Sequence, residues 1–346
     1  MHELHLPAPG AGGHPAKLPA RLTLAEHFSF NGRGNMIKVL YLGPANFASL
    51  LQAELGAAFH LVWVPAERRA VLAEIPDAGV WLDASMKVAL EETLLAQAPR
   101  LKLVITATTG ADHIDQQRLA ARQIPLLTLR GQTEVLNSLT PAAELSWLLL
   151  LACARHLRAA IHHVEQGLWE REQFPGVMLK GKQLGIIGCG RLGAWMARYA
   201  RAFDMEVVGY DPLVTRYPEN IAPASLDELL AGSHFISLHV PFNEQTRNLI
   251  GADQIRRMRR GAILVNTSRG AIVNEAALLE GLEAGTPAAL GVDVVEGEPA
   301  IRDTKLWQYA QTHPQVVITP HIGGFSPDAL EVVLRHTARR IARHFA

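Results

Sequence analysis

The chain has 346 residues, 33 Lys+Arg against 33 Asp+Glu, and 49% hydrophobic residues. That composition supports roughly two packed domains and excludes a mainly disordered chain, and the formal net charge of zero leaves no global basic field for nucleic acid or an anionic membrane. Two cysteines, Cys153 and Cys189, in no Cys-x-x-Cys arrangement, exclude a disulfide scaffold and a thiolate zinc site and fit a reducing, cytoplasmic compartment.

Residues 1–35 carry Pro7, Pro9, Pro15 and Pro19 among scattered Gly and His, with no continuous apolar run. They read as a disordered extension and not as a signal peptide. From Ile37, apolar runs at 37–42, 61–64, 79–82, 101–107 and 125–129 alternate with helical stretches at 45–55, 66–73, 90–97 and 115–122. This alternation with short connections implies an open, mostly parallel sheet covered by helices. Thr140 and Pro141 then open a long helix to about residue 155, with Thr suited to the N-cap and Pro to the first helical position. The helix is apolar over most of its circumference, so it must be buried. A subunit interface is the expected place, with Leu149→Glu as the disruptive change. Its apolar run, 145–154, is far short of the ~20 residues that cross a bilayer, so no membrane span is expected.

A second series follows, with strands at 184–187, 206–210, 235–240, 263–266, 290–295 and 316–319. Helices lie at 191–202, at 226–231 behind Ser225, at 275–283 behind Asn274, and finally at 327–345. Six strands with intervening helices make a full dinucleotide-binding fold. Gly188-Cys189-Gly190-Arg191-Leu192-Gly193 follows the first of these strands and opens a helix, and Asp211 stands 18 residues beyond Gly193 at the end of the next strand. In that setting Gly188 permits the tight turn, Gly190 lets the backbone approach a pyrophosphate, and Gly193 lets helix and strand pack closely. The helix N-terminus offers its free N–H groups to the phosphates. Asp211 can accept both ribose hydroxyls and would repel a 2′-phosphate, which points to NAD. Cys189 in this loop is read either as a thiol activated by the helix dipole or as a small residue tolerated in a turn.

The last third of the chain ends three successive strands with Asn266-Thr267-Ser268-Arg269-Gly270, Asp293-Val294-Val295-Glu296-Gly297-Glu298-Pro299 and Thr319-Pro320-His321-Ile322-Gly323-Gly324. Ligands in open α/β sheets bind beyond the carboxyl ends of the strands, so Arg269, Glu298 and His321 converge on one crevice. Arg grips a carboxylate with a planar two-pronged donor. His takes or gives a hydroxyl proton, and a carboxylate on its other ring nitrogen fixes the tautomer and favours the imidazolium. The pairs Arg256-Arg257 and Arg259-Arg260 read as a solvated helix end in a neutral protein, and His162-His163 lacks metal-ligand spacing.

From about Met36 the sequence resembles the D-isomer-specific 2-hydroxyacid dehydrogenase family. The resemblance is carried by Thr109-Gly110-Ala111-Asp112-His113-Ile114-Asp115, the helix from Thr140, the glycine loop, Leu238-His239-Val240-Pro241 and the three strand ends above. It implies two Rossmann-like domains: a doubly wound parallel-sheet NAD-binding domain at 138–321, inserted into a smaller flavodoxin-like substrate domain at 36–137 plus 322–346. It also implies NAD as cofactor, a small 2-hydroxy or 2-keto acid as substrate, a homodimer, and no metal, nucleic-acid or membrane partner. By resemblance Arg269, Glu298 and His321 are catalytic, and Thr109 and Gly110 join Arg269 in holding the substrate. Cofactor contacts fall to Gly188, Gly190, Arg191, Leu192, Gly193, Asp211, His239, Val240, Pro241, Thr246, Thr267, Ser268, Asp293 and Gly323.

The alternative is a non-enzymatic NAD(H)-sensing scaffold, since some corepressors resembling this family keep the triad. Formate dehydrogenases of the superfamily lack the dyad carboxylate, so Glu298 argues against formate. Phosphoglycerate dehydrogenases carry an Arg-Ser start to a substrate-domain loop where this chain has Asp83-Ala84-Ser85-Met86-Lys87. The expected phosphate-binding Arg is missing there, and Lys87 and Arg130 are the candidates to replace it. The chain ends soon after its last helix, so no regulatory domain is expected.

Overall fold

The structure, a computed structural model, describes residues 36–346. The expectation of a disordered extension at 1–35 falls outside the described residues. The first series runs β1 (Ile37–Leu42), α1 (Ala48–Leu55), β2 (Phe59–Val64), α2 (Arg68–Glu74), β3 (Val80–Asp83), α3 (Glu92–Leu95), β4 (Leu103–Thr106), α4 (Gln116–Ala121) and β5 (Leu126–Leu127). Three helices, α5 (Thr133–Asn137), α6 (Pro141–Ala154) and α7 (Leu157–Glu165), lead into the second series. That series is β6 (Gln183–Ile187), α8 (Arg191–Ala202), β7 (Glu206–Tyr210), β8 (Ala222–Pro223), α9 (Leu226–Gly232), β9 (Phe235–Leu238) and α10 (Ala252–Arg257). It continues with β10 (Ile263–Asn266), α11 (Glu275–Glu283), β11 (Ala289–Val292), α12 (Lys305–Ala310), β12 (Val316–Ile318) and α13 (Pro327–Phe345).

All strands pair in parallel, in a five-stranded sheet of order β2-β1-β3-β4-β5 and a seven-stranded sheet of order β12-β11-β10-β9-β6-β7-β8. The strands are short, and β3, β4, β9, β10 and β11, central in their sheets, are buried throughout, as strands covered by helices on both faces must be. In each sheet the order reverses beside the first strand of its series, β1 or β6. Such a reversal leaves a crevice at the carboxyl edge where the neighbouring connections depart in opposite directions. The seventh strand was not expected. Pro223 occupies half of the two-residue β8 at the sheet edge, where proline is tolerated but gives no strand signal. The short α5, α7 and α12 were also unread.

The last helix returns to the first sheet. Its Leu330, Val333, Leu334, Ala338 and Ile341 pack with Val39, Leu51, Leu55 and Phe59. Ser326 caps it by accepting from the Ala329 N–H, with Pro327 at the first position, and Arg339 Nε reaches Glu54 on α1 at 3.0 Å.

The helix α6 bears on three expectations. Thr140 does hold the N-cap position, but its side chain makes no capping bond and pairs with the Glu144 carboxylate. By length and composition the stretch Thr133–Ala154 is apolar enough to cross a membrane. It is broken between α5 and α6, however, and Trp147, Leu149, Leu150 and Cys153 pack inside the core of the seven-stranded sheet. Leu149 is therefore an internal residue and not an interface position. A Cβ placed on Gly291 of β11 would lie 3.0 Å from the Leu149 Cβ and 3.3 Å from the Cys153 sulfur, so the glycine lets α6 settle directly on the sheet. The outward residue is its neighbour Leu148, 53% exposed against 2% for Leu149.

Leu149→Glu should accordingly unfold the chain or cost at least ~4 kcal/mol, because it buries an unpaired carboxylate. Leu148→Glu should cost within ~1 kcal/mol in the single chain. Urea unfolding of both variants checks this; equal midpoints would contradict the placement of α6.

Candidate active site

The glycine loop leaves β6 and enters α8. Gly188 has φ +96°, and a Cβ on it would lie 2.6 Å from the His239 carbonyl carbon. A Cβ on Gly193 would lie 2.3 Å from the Gly188 oxygen. Both positions therefore require glycine, one for conformation and one for close packing. A Cβ on Gly190, at the N-cap of α8, meets nothing within 4 Å. This is open space at a helix N-terminus of the kind that receives a pyrophosphate. Asp211 ends β7 and accepts from the Cys189 N–H at 2.9 Å and the Leu213 N–H at 3.0 Å. A carboxylate has about four lone-pair sites, so capacity remains for ribose hydroxyls. The Tyr217 hydroxyl pins the backbone of Asp211, accepting from its N–H and donating to its carbonyl. The residues thus fit an NAD molecule, held by the loop and Asp211.

Cys189 itself is 2% exposed, and burial together with the Asp211 charge pushes its thiol up to about 12. It is a small residue packed in the turn, and the activated-thiol reading is set aside.

Three strand ends assemble the second half of the site. After β10, Asn266 stitches its turn by donating to the Arg269 carbonyl at 2.8 Å and accepting from the Ser268 N–H at 3.0 Å. Ser268 donates to the Leu238 carbonyl at 2.8 Å, and Thr267 shares a 2.7 Å hydrogen bond with the buried Ser146 of α6. After β11 comes Asp293, 1% exposed, which was expected to contact the cofactor. It lines the cleft, and its carboxylate accepts from Thr319 Oγ1 at 2.6 Å, the Ile322 N–H at 2.9 Å and the Gly323 N–H at 2.7 Å of the loop after β12. Burial pushes its carboxyl up, against the pull of those three donors. The loop so held carries His321, which has φ +54° and donates its N–H to the Asp293 carbonyl. His321 Nδ1 meets Glu298 Oε1 at 2.6 Å, with both side chains about one-third exposed. The imidazole keeps Nε2 for a ligand in the cleft.

One continuous cleft is lined by Thr109, Gly110, Arg191, Arg269, Glu298 and His321, so loops from both sheets meet there. Leu192, His239, Val240, Pro241, Thr267, Ser268 and Gly323 line it as well. The N–H groups of Thr109 and Gly110 have no hydrogen-bond partner among the described residues. Thr246 stands apart from this lining. Its hydroxyl donates to the Pro241 carbonyl at 2.7 Å and so serves the turn after β9.

Several partners were not read from the sequence. Asp112 accepts from Arg269 Nε at 2.8 Å. Asp83, fully buried at the end of β3, pairs with His113 Nε2 at 2.7 Å and accepts from the Ser85 N–H and hydroxyl. Where a phosphate-binding Arg was sought, the strand thus ends in a carboxylate engaged with its own loop, and Lys87 and Arg130 line the cleft nearby. His239 shares a 2.8 Å hydrogen bond with the buried Ser237 through Nε2, and burial pushes its imidazole down to about 4. It is neutral at pH 7, unlike a proton-transfer group for that range.

Taken together, the chain has the features of a Rossmann-type dinucleotide-binding protein whose cleft sets an arginine opposite a histidine–carboxylate pair. It belongs to the D-isomer specific 2-hydroxyacid dehydrogenases: the catalytic-domain model of that family matches residues 44–146 and its NAD-binding-domain model residues 147–323. It is 36% identical over 283 residues to the D-3-phosphoglycerate dehydrogenase of Mycobacterium tuberculosis, covering 80% of this chain and 51% of that protein. The chain thus spans about half the length of the phosphoglycerate dehydrogenases it matches. It is 37% identical over 236 residues to the hydroxypyruvate reductase of Thermotoga maritima, covering 68% of this chain and 75% of that one. Among solved structures, D-lactate dehydrogenase from Aquifex aeolicus, complexed with NAD and lactic acid, superposes with a TM-score of 0.76 at 29% identity, covering 89% of this chain and 95% of that one.

The His239 site has a stability consequence. An unfolded histidine takes up a proton near 6.5, whereas folded His239 does so only near 4. Between those values the unfolded state binds more protons, so stability falls as the pH drops, by up to roughly 3 kcal/mol from this group. His239→Asn should flatten the fall. Urea midpoints at about pH 7 and about pH 4.5 test it; the same drop in both proteins would assign the loss to other groups.

Proposed function

We propose that this chain is an NAD-dependent oxidoreductase acting between a small D-2-hydroxy acid and its 2-keto acid. The observation that carries the reading is the 2.6 Å His321–Glu298 contact in the cleft that also receives Arg269 and the glycine loop. NAD(H), when bound by the glycine loop and Asp211, supplies or accepts the hydride at the substrate C2. Glu298 holds Nδ1 of the imidazole, which leaves Nε2 to give a proton to the carbonyl oxygen in reduction and to take the hydroxyl proton in oxidation. Arg269 binds the substrate carboxylate and polarises the carbonyl, with the Thr109 and Gly110 N–H groups as the other half of the cradle. Asp293 keeps the His321 loop in place. The division into a substrate part, 36–137 plus 322–346, and a cofactor part, 138–321, fits the return of α13 to the first sheet.

The test is NADH consumption with a panel of glyoxylate, hydroxypyruvate, pyruvate, 3-phosphohydroxypyruvate and bulkier 2-keto acids. Turnover of at least one is expected. Tight NADH binding without any turnover would favour the sensing scaffold instead. Arg269→Lys keeps the charge but loses the fork, so kcat/KM should fall roughly 10²-fold or more with little change in NADH affinity. Asp211 should make NAD the preferred cofactor by ~2–4 kcal/mol over NADP, and Asp211→Ala should narrow the ratio of the two kcat/KM values. Equal use of both cofactors by the unaltered protein would overturn that assignment.

The reading includes a homodimer. It is supported by an apolar face left outward on α6 and α7, where Leu148, Ile161 and Val164 are each about half exposed and Trp169 beyond them is 87% exposed. Scattered exposed apolar residues are ordinary, but several large ones on and just beyond two successive helices are what a second copy of the chain would cover. Ile161→Glu combined with Val164→Glu should convert a dimer to a folded monomer in light scattering. A monodisperse monomer for the unaltered chain would refute the dimer.

A further inference from the structure

The Arg269 guanidinium is gripped from both sides of the cleft. Its Nη1 donates to the Ser268 carbonyl at 2.7 Å, within its own loop after β10. Its Nε donates to Asp112 Oδ2 at 2.8 Å, on the loop after β4 of the other sheet. Among the described ion pairs this is the one that joins a loop of the five-stranded sheet to a loop of the seven-stranded sheet. The third nitrogen, Nη2, lies over Gly110: a Cβ on that glycine would sit 2.1 Å from Nη2 and 3.3 Å from Asp112 Oδ2. Gly110 thus gives the guanidinium its room, and Asp112 sets its plane. Nη2 is left beside Gly110, whose N–H, like that of Thr109 before it, has no hydrogen-bond partner among the described residues. An arginine with a free Nε rotates about several side-chain bonds, and fixing it beforehand removes that cost from substrate binding.

We infer that Asp112 is a positioning residue for the reaction proposed above, holding Nε of Arg269 so that Nη2 and the Thr109–Gly110 N–H groups form one cradle for the carboxylate of a 2-keto acid. Asp112 itself does not touch the substrate and moves no proton. Its charge is the less important part of its role, because the required feature is an acceptor for the Nε–H.

The test compares Asp112→Ala and Asp112→Asn, each alone and combined with Arg269→Lys, which has no Nε. Two readouts are used. The first is kcat/KM for the keto acid that the unaltered protein reduces fastest. The second is binding of oxamate, the monoamide of oxalic acid, which keeps a carboxylate beside a carbonyl but does not take up hydride, to the NADH-loaded protein by quenching of NADH fluorescence. Asp112→Ala should weaken both about tenfold or more, with NADH affinity unchanged. Asp112→Asn, which keeps a carbonyl acceptor, should stay within about threefold of the unaltered protein. In the Arg269→Lys background the alanine change should add less than about twofold, because the two residues act as one unit.

Tighter oxamate binding in Asp112→Ala would overturn the inference and make Asp112 a resident competitor for the arginine. Equal losses in both backgrounds would overturn it too, placing the effect outside Arg269. So would Asp112→Asn behaving like Asp112→Ala. If no keto acid is turned over, the oxidoreductase reading fails by itself, and the oxamate titration still decides the role of Asp112.

Discussion

The site depends on one buried carboxylate. Asp293 sits at the carboxyl end of β11 and takes three donors from the loop that follows the neighbouring strand β12. An anion with so little exposure is tolerable only when its lone pairs are satisfied, and here the satisfying groups are those that shape the loop. Thr319 and Gly323 bracket His321, whose own N–H returns to the Asp293 carbonyl. The imidazole is therefore held in a left-handed backbone conformation that a free peptide would rarely adopt. In that conformation Nδ1 meets Glu298 at 2.6 Å. The cost of burying Asp293 and the placement of the histidine are two sides of one arrangement.

A second layer of support comes from α6. Its Ser146 is fully buried and bonds Thr267, and its Leu149 lies on the glycine-bared surface of β11. One helix thus touches the strand that ends in Asp293 and the loop that ends in Arg269. The two arms of the site share a common floor, so relative movement between them is resisted by close packing as well as by hydrogen bonds.

The parts legible in the sequence were those set by local rules. The glycine spacing, the caps at Ser225 and Asn274 and the apolar runs of β6, β7 and β9 to β12 each depend on residues a few positions apart. Three polar groups at successive strand ends follow from one general property of parallel sheets. What could not be read depends on residues brought together from afar. Asp112 and Arg269 are 157 residues apart, and Ser146 and Thr267 are 121 apart; no spacing rule connects either pair. The helix α6 shows a different limit. Apolar on nearly all sides, it carries no sign of which flank faces the sheet, so Leu148 and Leu149 look alike until Gly291 distinguishes them. The two-residue β8 is shorter than any periodic signal.

The Asp211 carboxylate reaches back to the Cys189 N–H inside the glycine loop. The side chain proposed to recognise the sugar is therefore also the one that anchors the glycine loop. Exchanging Asp211 to admit a 2′-phosphate would also release the Cys189 N–H and with it the loop proposed to hold the pyrophosphate. A lineage making that change would have to replace the lost anchor on Cys189 before or together with the acidic residue. Cofactor choice at this site is thereby tied to the mechanics of the loop beside it.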